Sequence, residues 1–231
     1  MIDLKSVVVL LFVLSTVFCL AQGEPVVEGD GRYKEDQFYI GVTYNLLGKQ
    51  PTDLKQSGFS TGFHLGFIKD MPINKARNKA IGLGLGISAN SFNQNLLVFE
   101  DDAGTINYSI EGADTFTKNK FSSHFIEVPL EFRWRTSTAT SYEFWRIYGG
   151  FKFSYMLANT TKYIGDLGTF KYNDVSDFNK VQYGLTLSAG YNLWNLYVYY
   201  ALNPVFSNDA QLNGENIDIH AIKVGLMFYI L

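Results

Sequence analysis

Phe125–Arg135 reads FIEVPLEFRWR, and this stretch decides the fold. Every second residue is large and apolar, whereas most alternate positions carry a carboxylate or a guanidinium group. Successive side chains of a β-strand point to opposite faces, so the stretch predicts a strand with one apolar face and one charged face. The apolar face comprises Ile126, Val128, Leu130, Phe132 and Trp134, and the charged face comprises Glu127, Glu131, Arg133 and Arg135.

Seven further segments alternate large apolar residues with glycine, serine or polar residues. They lie near residues 38–46, 59–67, 81–88, 145–157, 181–192, 196–202 and 219–231. The sixth of these is so rich in tyrosine that its pattern does not assign the two faces. The total of eight is an even number, as a closed antiparallel barrel with both chain ends on one side requires.

The links between these segments differ in length. Long polar links near residues 91–123, 159–179 and 203–218 contrast with short links near residues 136–142 and 192–195. Long outer loops and tight periplasmic turns alternate in this way in bacterial outer-membrane barrels. Two links near the N-terminus are similar in length and depart from the alternation, namely residues 47–57 and 70–79.

Composition and targeting signals narrow the class of protein. The chain has 231 residues, of which 47% are hydrophobic and 16% aromatic, and this excludes a disordered chain. A net charge of −3 leaves no basic footprint for nucleic acid, and one cysteine cannot form a disulfide framework. Lys5, an apolar run from Val7 to Phe18 and Ala21 predict a secretory signal over residues 1–21. A lipoprotein signal ending at Cys19 is disfavoured by the bulky Phe18 before it.

We therefore predict an all-β protein, an eight-stranded antiparallel outer-membrane β-barrel over residues 37–231, preceded by a flexible periplasmic leader over residues 22–36. A soluble sandwich or lipocalin-like barrel would show the same alternation. It would hide its apolar face and expose charge, whereas here glycine, serine and charges that could pair stand opposite the apolar residues. Four aromatic residues near strand ends suit girdles at a membrane interface: Trp134, Trp145, Trp194 and Tyr197.

Charged residues on the inward faces form the main candidate site. They are His64, Glu127, Glu131, Arg133, Arg135, Arg146, Lys152 and Lys223. Eight strands enclose an interior that side chains can fill, and charges buried there must pair to offset the loss of water. The sequence thus predicts an ion-pair network that plugs the lumen. A narrow ion path would instead need a continuous gap.

Enzymatic and metal-binding alternatives have weaker support. His124 beside Ser122 and Ser123, with Glu127 nearby, or His220 beside Asp218 could in principle serve acyl hydrolysis. Adjacent residues of a strand point to opposite sides, and the chain has no G-x-S-x-G elbow. We predict no catalytic, cofactor or transition-metal site.

The outer loops carry acidic and aromatic residues. The acidic run Glu100-Asp101-Asp102 and the pair Asn208-Asp209 lack the ligand spacing of a calcium hand, so we interpret them as solvated loops. Phe99 and Phe116 lie in the long second loop and could contact a partner.

Two stretches carry a family resemblance. Residues 125–133 resemble the Glu-x-Pro strand of outer-membrane β-barrels from bacteria that use type IX secretion. Residues 57–74 and the glycine alternation at 80–86 resemble the PorT-like branch more narrowly. The resemblance implies a non-enzymatic component of type IX secretion, with a part in gliding motility where that exists. It also implies contact with outer-membrane lipids and, through loops and periplasmic turns, with other secretion components.

The runner-up interpretation is a general small barrel, porin-like, structural or adhesive, with no role in secretion. The C-terminus differs from that of many barrel proteins, which end in an aromatic residue. Here the last four residues are Phe228-Tyr229-Ile230-Leu231. Phe228 or Tyr229 could serve as the residue that assembly machinery reads.

Overall fold

The computed structural model describes residues 36–101, 103–136 and 145–230, and within them the chain forms thirteen β-strands. The predicted signal at 1–21, nearly all of the leader at 22–36 and most of the link at 136–142 lie outside the described residues. The described part contains no helix that is long and apolar enough to cross a membrane. The strands are β1 Gln37–Gly48, β2 Thr61–Pro72, β3 Lys79–Asn93, β4 Leu96–Glu100, β5 Ile106–Ile110, β6 Phe116–Arg135, β7 Trp145–Gly165, β8 Gly168–Asn173, β9 Val181–Tyr191, β10 Trp194–Ala201, β11 Gln211–Leu212, β12 Glu215–Asn216 and β13 His220–Ile230.

Eight of these strands close into an antiparallel barrel, which confirms the predicted fold. Their order around the wall is β6, β3, β2, β1, β13, β10, β9 and β7, and the pairing of β7 with β6 completes the ring. The first and last barrel strands pair over their whole length, from Phe38 opposite Ile230 to Gly48 opposite His220. Because every barrel strand has two partners, no barrel strand leaves an unpaired edge along the ring.

The two faces of the wall follow the predicted alternation. Most large apolar side chains of the wall point outward and are exposed, whereas the lumen holds polar, charged, small and aromatic residues with a few buried apolar ones such as Ile68 and Met227. The structure assigns the faces of β10, where Leu196 and Val198 point outward and Tyr197 and Tyr199 inward. Tyr197 is 2% exposed, so its predicted place in an outer aromatic girdle is wrong. Parity decides its orientation, because it alternates with the outward residues on either side.

The two ends of the barrel differ. One end, the turn end, carries the short connections between β2 and β3, β6 and β7, and β9 and β10. All three tryptophans lie near it, with Trp145 packed on Tyr191 and Trp194 on Phe228. The other, the loop end, carries four longer connections. The first link, between Gly48 and Thr61, is longer than the second, between Pro72 and Lys79, so the alternation of long and short holds throughout.

Part of what the sequence pattern assigns to loops is strand. β6 and β7 have 20 and 21 residues and stay paired past a bulge at His124/Phe125 to Lys118 opposite Ile164. β8 adds a further strand beside this extension, and β4 pairs with β5 within the link between β3 and β6. The pattern missed these segments because, beyond the membrane level, strands need no apolar outer face.

Apolar residues of the loops and of the loop-end parts of β3 and β6 form a core across the loop end, which we call the outer cap. It consists of Leu54, Phe92, Leu96, Phe121, Val175, Phe178, Val205, Phe206 and Leu212, all buried. Phe121 is its centre, stacked on Phe92 at 4.9 Å between ring centroids and edge-on to Phe178 and Phe206 at 5.6 and 5.7 Å. The loops are therefore packed on one another over the barrel mouth.

Candidate functional site

The eight predicted lumen residues all point inward and are at most 6% exposed. They are arranged in two groups along the barrel axis. Four lie toward the turn end, with Arg146 opposite Arg135 on the neighbouring strand, and the rest lie in the middle of the barrel. Residues outside the predicted set complete both groups.

An aspartate absent from the predicted set organises the group at the turn end, which we call the aspartate cluster: Asp70, Arg133, Arg135 and Gln37. Asp70 Oδ1 accepts hydrogen bonds from Arg133 Nη1 at 2.9 Å and Arg135 Nη1 at 2.8 Å, and Oδ2 accepts from Arg135 Nη2 at 2.9 Å. Arg133 also donates to Gln37 Oε1, and its guanidinium carbon lies 4.2 Å from the centre of the Tyr148 ring. One carboxylate thus holds two buried cations.

The sequence pattern predicts a link at Asp70, because the alternation with large apolar residues is clear only as far as Phe67. The strand continues to Pro72, and Asp70 lies on the inward parity of His64 and Ile68. The inward parity runs on from Gly66 through Ile68 to Asp70, so three more residues of the same alternation include it. Glu131, which was predicted, lies beside this cluster with Oε2 3.5 Å from Arg133 Nε.

The group in the middle of the barrel, the glutamate cluster, consists of Glu127, Lys152, His64 and Ser88. Glu127 Oε2 accepts a hydrogen bond from Lys152 Nζ at 2.9 Å and lies 3.2 Å from His64 Nδ1. Its Oε1 accepts from Ser88 Oγ at 2.7 Å. Every polar atom of the carboxylate therefore has a partner, which offsets the cost of burying its charge.

Lys223 departs from the expectation that every inward charge would meet an opposite charge. Among the described residues no carboxylate lies within ion-pair distance of its ammonium group. Instead, Nζ lies 5.0 Å from the centre of the Tyr199 ring and 5.7 Å from that of Phe125. An ammonium over a ring face is stabilised by the ring's quadrupole, so aromatic contacts here take the place of an anion.

The charged side chains of the lumen are almost fully buried, which leaves little room for water around them. A cavity of about 20 Å³ lies between Lys223 and polar side chains on one side and Phe92 and Val205 of the outer cap on the other. That volume holds about one water molecule. Glycine makes room for the filling at one place: Gly66 and Gly86 face each other across β2 and β3, and the Tyr39 ring covers both.

The loop end carries the larger open space, a cleft of about 840 Å³. Its lining combines polar side chains such as Asp53, Gln56 and Asn95 with the aromatic rings of Tyr108 and Phe116. Tyr108 also ties the hairpin of β4 and β5 to another loop, since its hydroxyl donates to Asp177 Oδ2 at 2.8 Å. Burial and this hydrogen bond raise the pKa of the Tyr108 hydroxyl.

The structure separates the first set of residues considered for acyl hydrolysis. His124 points outward, whereas Ser123 and Glu127 point into the lumen, where Glu127 is held by Lys152. The second pair is close together, with His220 Nε2 3.0 Å from Asp218 Oδ1. Within the described part of the chain, the other partners of His220 are Lys49 and the carbonyl of Ala201, and none is a hydroxyl group.

The acidic loop residues have structural partners. The carboxylate of Asp101 accepts hydrogen bonds from the backbone amides of Thr105 and Ala103 and from Asn107 Nδ2. These hydrogen bonds lower the pKa of Asp101, and the bond from Thr105 has the largest effect. Its neighbour Asp102 lies outside the described residues, and Asp209 contacts Ser207. Across the described ranges no three His, Asp or Glu side chains are grouped so that they could hold a metal ion. Of the two loop phenylalanines, Phe116 lines the 840 Å³ cleft and Phe99 is partly buried on β4.

The outward apolar belt, the charged interior, the short turns at one end and the long loops at the other define an outer-membrane β-barrel of the bacterial type. Comparison with known families agrees. The family described as outer membrane protein beta-barrel domain matches residues 20–207, and the chain belongs to it. The protein therefore resides in the outer membrane, with the turn end toward the periplasm and the loop end outside the cell. No curated protein matches the sequence.

Proposed function

We propose that the protein is a non-enzymatic component of type IX protein secretion that acts by presenting its outer loops and periplasmic turns to partner proteins. The resemblance of residues 57–74 and 80–86 to the PorT-like branch supports this assignment. In gliding species the same role would extend to motility.

The filled lumen is the observation that carries a docking role over a transport role. Solutes crossing the barrel would have to displace both the aspartate and the glutamate cluster, whose charges are buried and paired. They would then meet the outer cap, where the ring centroids of Phe92, Phe178 and Phe206 each lie within 6 Å of that of Phe121. A barrel filled in this way serves better as an anchor than as a channel.

The packed loops support a role in binding. Loops that are held by a common apolar core lose little conformational entropy when a partner docks. The cleft of about 840 Å³ between Asp53, Tyr108 and Phe116 offers polar and aromatic groups for such a contact.

Deletion of the gene in its own bacterium tests the secretion role. We expect type IX cargo to remain inside the cell and unprocessed, and export to return when the wild-type chain is supplied. Mature cargo on the surface of the deletion strain would contradict the proposal. Affinity purification of the tagged barrel from outer membranes should recover other type IX components, and a variant with unchanged loops but Lys223→Met should recover the same set.

Planar-bilayer recordings separate the runner-up interpretation from the proposal. The purified barrel should not conduct. Steady unitary currents would favour a porin-like barrel with no secretion role, and lipid hydrolysis lost on Ser123→Ala or His124→Ala would contradict the non-enzymatic assignment.

A further inference from the structure

Three lysines stand side by side on the outer wall above the membrane. Lys120 of β6 is the direct cross-strand partner of Lys162 of β7, and Lys162 is the direct partner of Lys171 of β8. Directly opposite residues in a sheet have side chains on the same face about 5 Å apart. We call this set the lysine row; Lys118 lies next to it, two residues before Lys120 on the same face.

Like charges in this position repel one another. Lysines directly opposite across a ladder destabilise a sheet unless an anion neutralises them. Within the described residues neither the lysine row nor Lys118 makes an ion pair or a side-chain hydrogen bond with a carboxylate. The row thus has the charge, the spacing and the lack of partners that would suit an anion from outside the chain.

The residues of the wall below the lysine row indicate that the anion belongs to a lipid headgroup. Cross-strand rows of β3, β6 and β7 change in steps toward the loop end. The apolar row is Ile87, Ile126 and Tyr155; the next is Ala89, His124 and Ala158; the next is Ser91, Ser122 and Thr160; and the last is Asn93, Lys120 and Lys162. This order, from hydrocarbon to hydroxyl and imidazole to ammonium, matches the passage from lipid tails to lipid headgroups.

The height of the row fits this assignment. Lys120 lies four residues beyond His124 along β6, which is about 13 Å at ~3.3 Å per residue. With a strand tilt of 35–45° the rise above the membrane boundary is about 10 Å. Lysine stems lie along apolar surface while the ammonium groups reach polar partners, so the charges can extend back toward the headgroups.

We propose that the lysine row, with Ser122 and Thr160 below it, binds the phosphate groups of an anionic lipid in the outer leaflet of the outer membrane. Hydroxyl groups donate to phosphate oxygens and lysines supply point charges, which together suit a phosphorylated headgroup. Charge at a membrane surface adds affinity with each lysine and is screened by salt. This site is independent of the proposed role in secretion.

The test uses the full-length mature barrel in detergent, with diphosphoryl lipid A and its dephosphorylated form as probes and native mass spectrometry as the readout. We expect the wild type to retain the phosphorylated probe preferentially. K120Q/K162Q/K171Q should weaken its binding by at least roughly tenfold. K69Q/K75Q/K79Q removes the same charge from exposed lysines at the turn end and should leave binding unchanged.

Equal binding by the wild type and the lysine-row variant, equal losses in both triple variants, or no preference for phosphate would each overturn the proposal. Folding is checked by the heat-dependent shift in gel mobility. K162Q alone provides a second measurement: without lipid its melting temperature should equal or exceed that of the wild type, and lipid A should raise it less. A lower melting temperature without lipid would assign Lys162 a structural role instead.

Discussion

The lumen and the outer cap are neighbours in one barrel, yet they are filled by opposite chemistry. Beside the glutamate cluster the wall presents Ile87 and Val128 outward and charge inward, whereas a few residues above it the cap buries Phe121 and Phe206. The difference follows from the medium outside the wall. At membrane level the outside is apolar, so the strands point polar groups inward. Above the membrane the outside is water, so the loops bury apolar groups as a soluble protein does.

The comparison teaches that burial has two meanings in this chain. In the lumen, stability depends on satisfied charge, and losing one partner leaves another charge stranded. In the cap, stability depends on packing, and losing a ring leaves a cavity. Substitutions in the lumen and in the cap should therefore differ in their effect on the free energy of unfolding, in how far that effect spreads through the barrel, and in the measurement that detects it.

The largest effect is expected from Asp70→Asn, because it leaves Arg133 and Arg135 buried without their shared carboxylate. Breaking a buried ion pair costs about 3–5 kcal/mol. We expect a loss of that size in the free energy of unfolding, measured by urea titration of the barrel in detergent. Asp218→Asn is the control, because the carboxylate of Asp218 is about half exposed where it meets Lys49 and His220, and its loss should cost at most about 1 kcal/mol. Equal losses in the two variants would refute the central place of Asp70.

Removal of a cap ring should have a comparable but local cost. Phe206→Ala removes a side chain that is 1% exposed and lies 4.6 Å from Phe178 between ring centroids. We expect about 3 kcal/mol, felt as loop opening, with roughly 100-fold faster hydrogen exchange at the Asn179 amide, which donates to the Val205 carbonyl. Leu167→Ala, at an exposed hairpin tip, is the control. Faster exchange in the central barrel strands would show that the cap and lumen are not separate units.

A third change tests packing within the polar lumen. A Cβ at Gly86 would collide with the Tyr39 hydroxyl and lie 2.7 Å from the Leu65 carbonyl, so Gly86→Ala should destabilise the barrel by about 1–3 kcal/mol. At Gly149, also in the barrel wall, a Cβ would meet its nearest atoms at 3.8 Å. Gly149→Ala should be neutral or stabilising by up to about 1 kcal/mol. Urea titration of both variants measures the change in the free energy of unfolding. An unchanged value for Gly86→Ala would contradict the prediction and show that Tyr39 moves freely.

The smallest effect concerns one hydrogen bond that holds the cap. Tyr108→Phe should destabilise the loops by about 1 kcal/mol. Because the folded protein raises the pKa of Tyr108, the stabilisation is complete below pH 10, the ordinary tyrosine value, and declines as the pH rises above it. Limited proteolysis of the loops should therefore distinguish Tyr108→Phe from the wild type at neutral pH, and the difference should shrink above pH 10. A difference that grows with pH would contradict this.

The sequence predicted the barrel because membrane-level strands obey a strict rule. Lipid outside forces a large apolar side chain at every second position, as at Ile126, Val128 and Leu130, and that rule also assigns the inward charges by parity. It failed where both parities carry rings: Tyr197 and Tyr200 are the same residue type, yet one lies in the lumen and the other faces out. The two tyrosines have opposite parity, and the pairing of β10 with β9 and β13 determines which parity faces the lumen.

The rest depended on contacts between distant segments. Which carboxylate holds which cation could not be predicted, because Asp70 and Arg135 lie on strands separated by β3, and an aspartate can pair with any nearby cation. The outer cap was also missed. Its phenylalanines, such as Phe178 and Phe206, are isolated in polar loops and show no period, so only tertiary packing collects them.

The uneven placement of tryptophan decides what fluorescence can report. Trp134, Trp145 and Trp194 all lie near the turn end, toward the periplasmic leaflet. Quenching of tryptophan fluorescence by brominated lipids would thus report only the insertion of the turn end. The part of the barrel in the opposite leaflet, the glutamate cluster and the outer cap would give no tryptophan signal. An assembly intermediate with its turns inserted and its loops still open would give the same emission as the finished barrel.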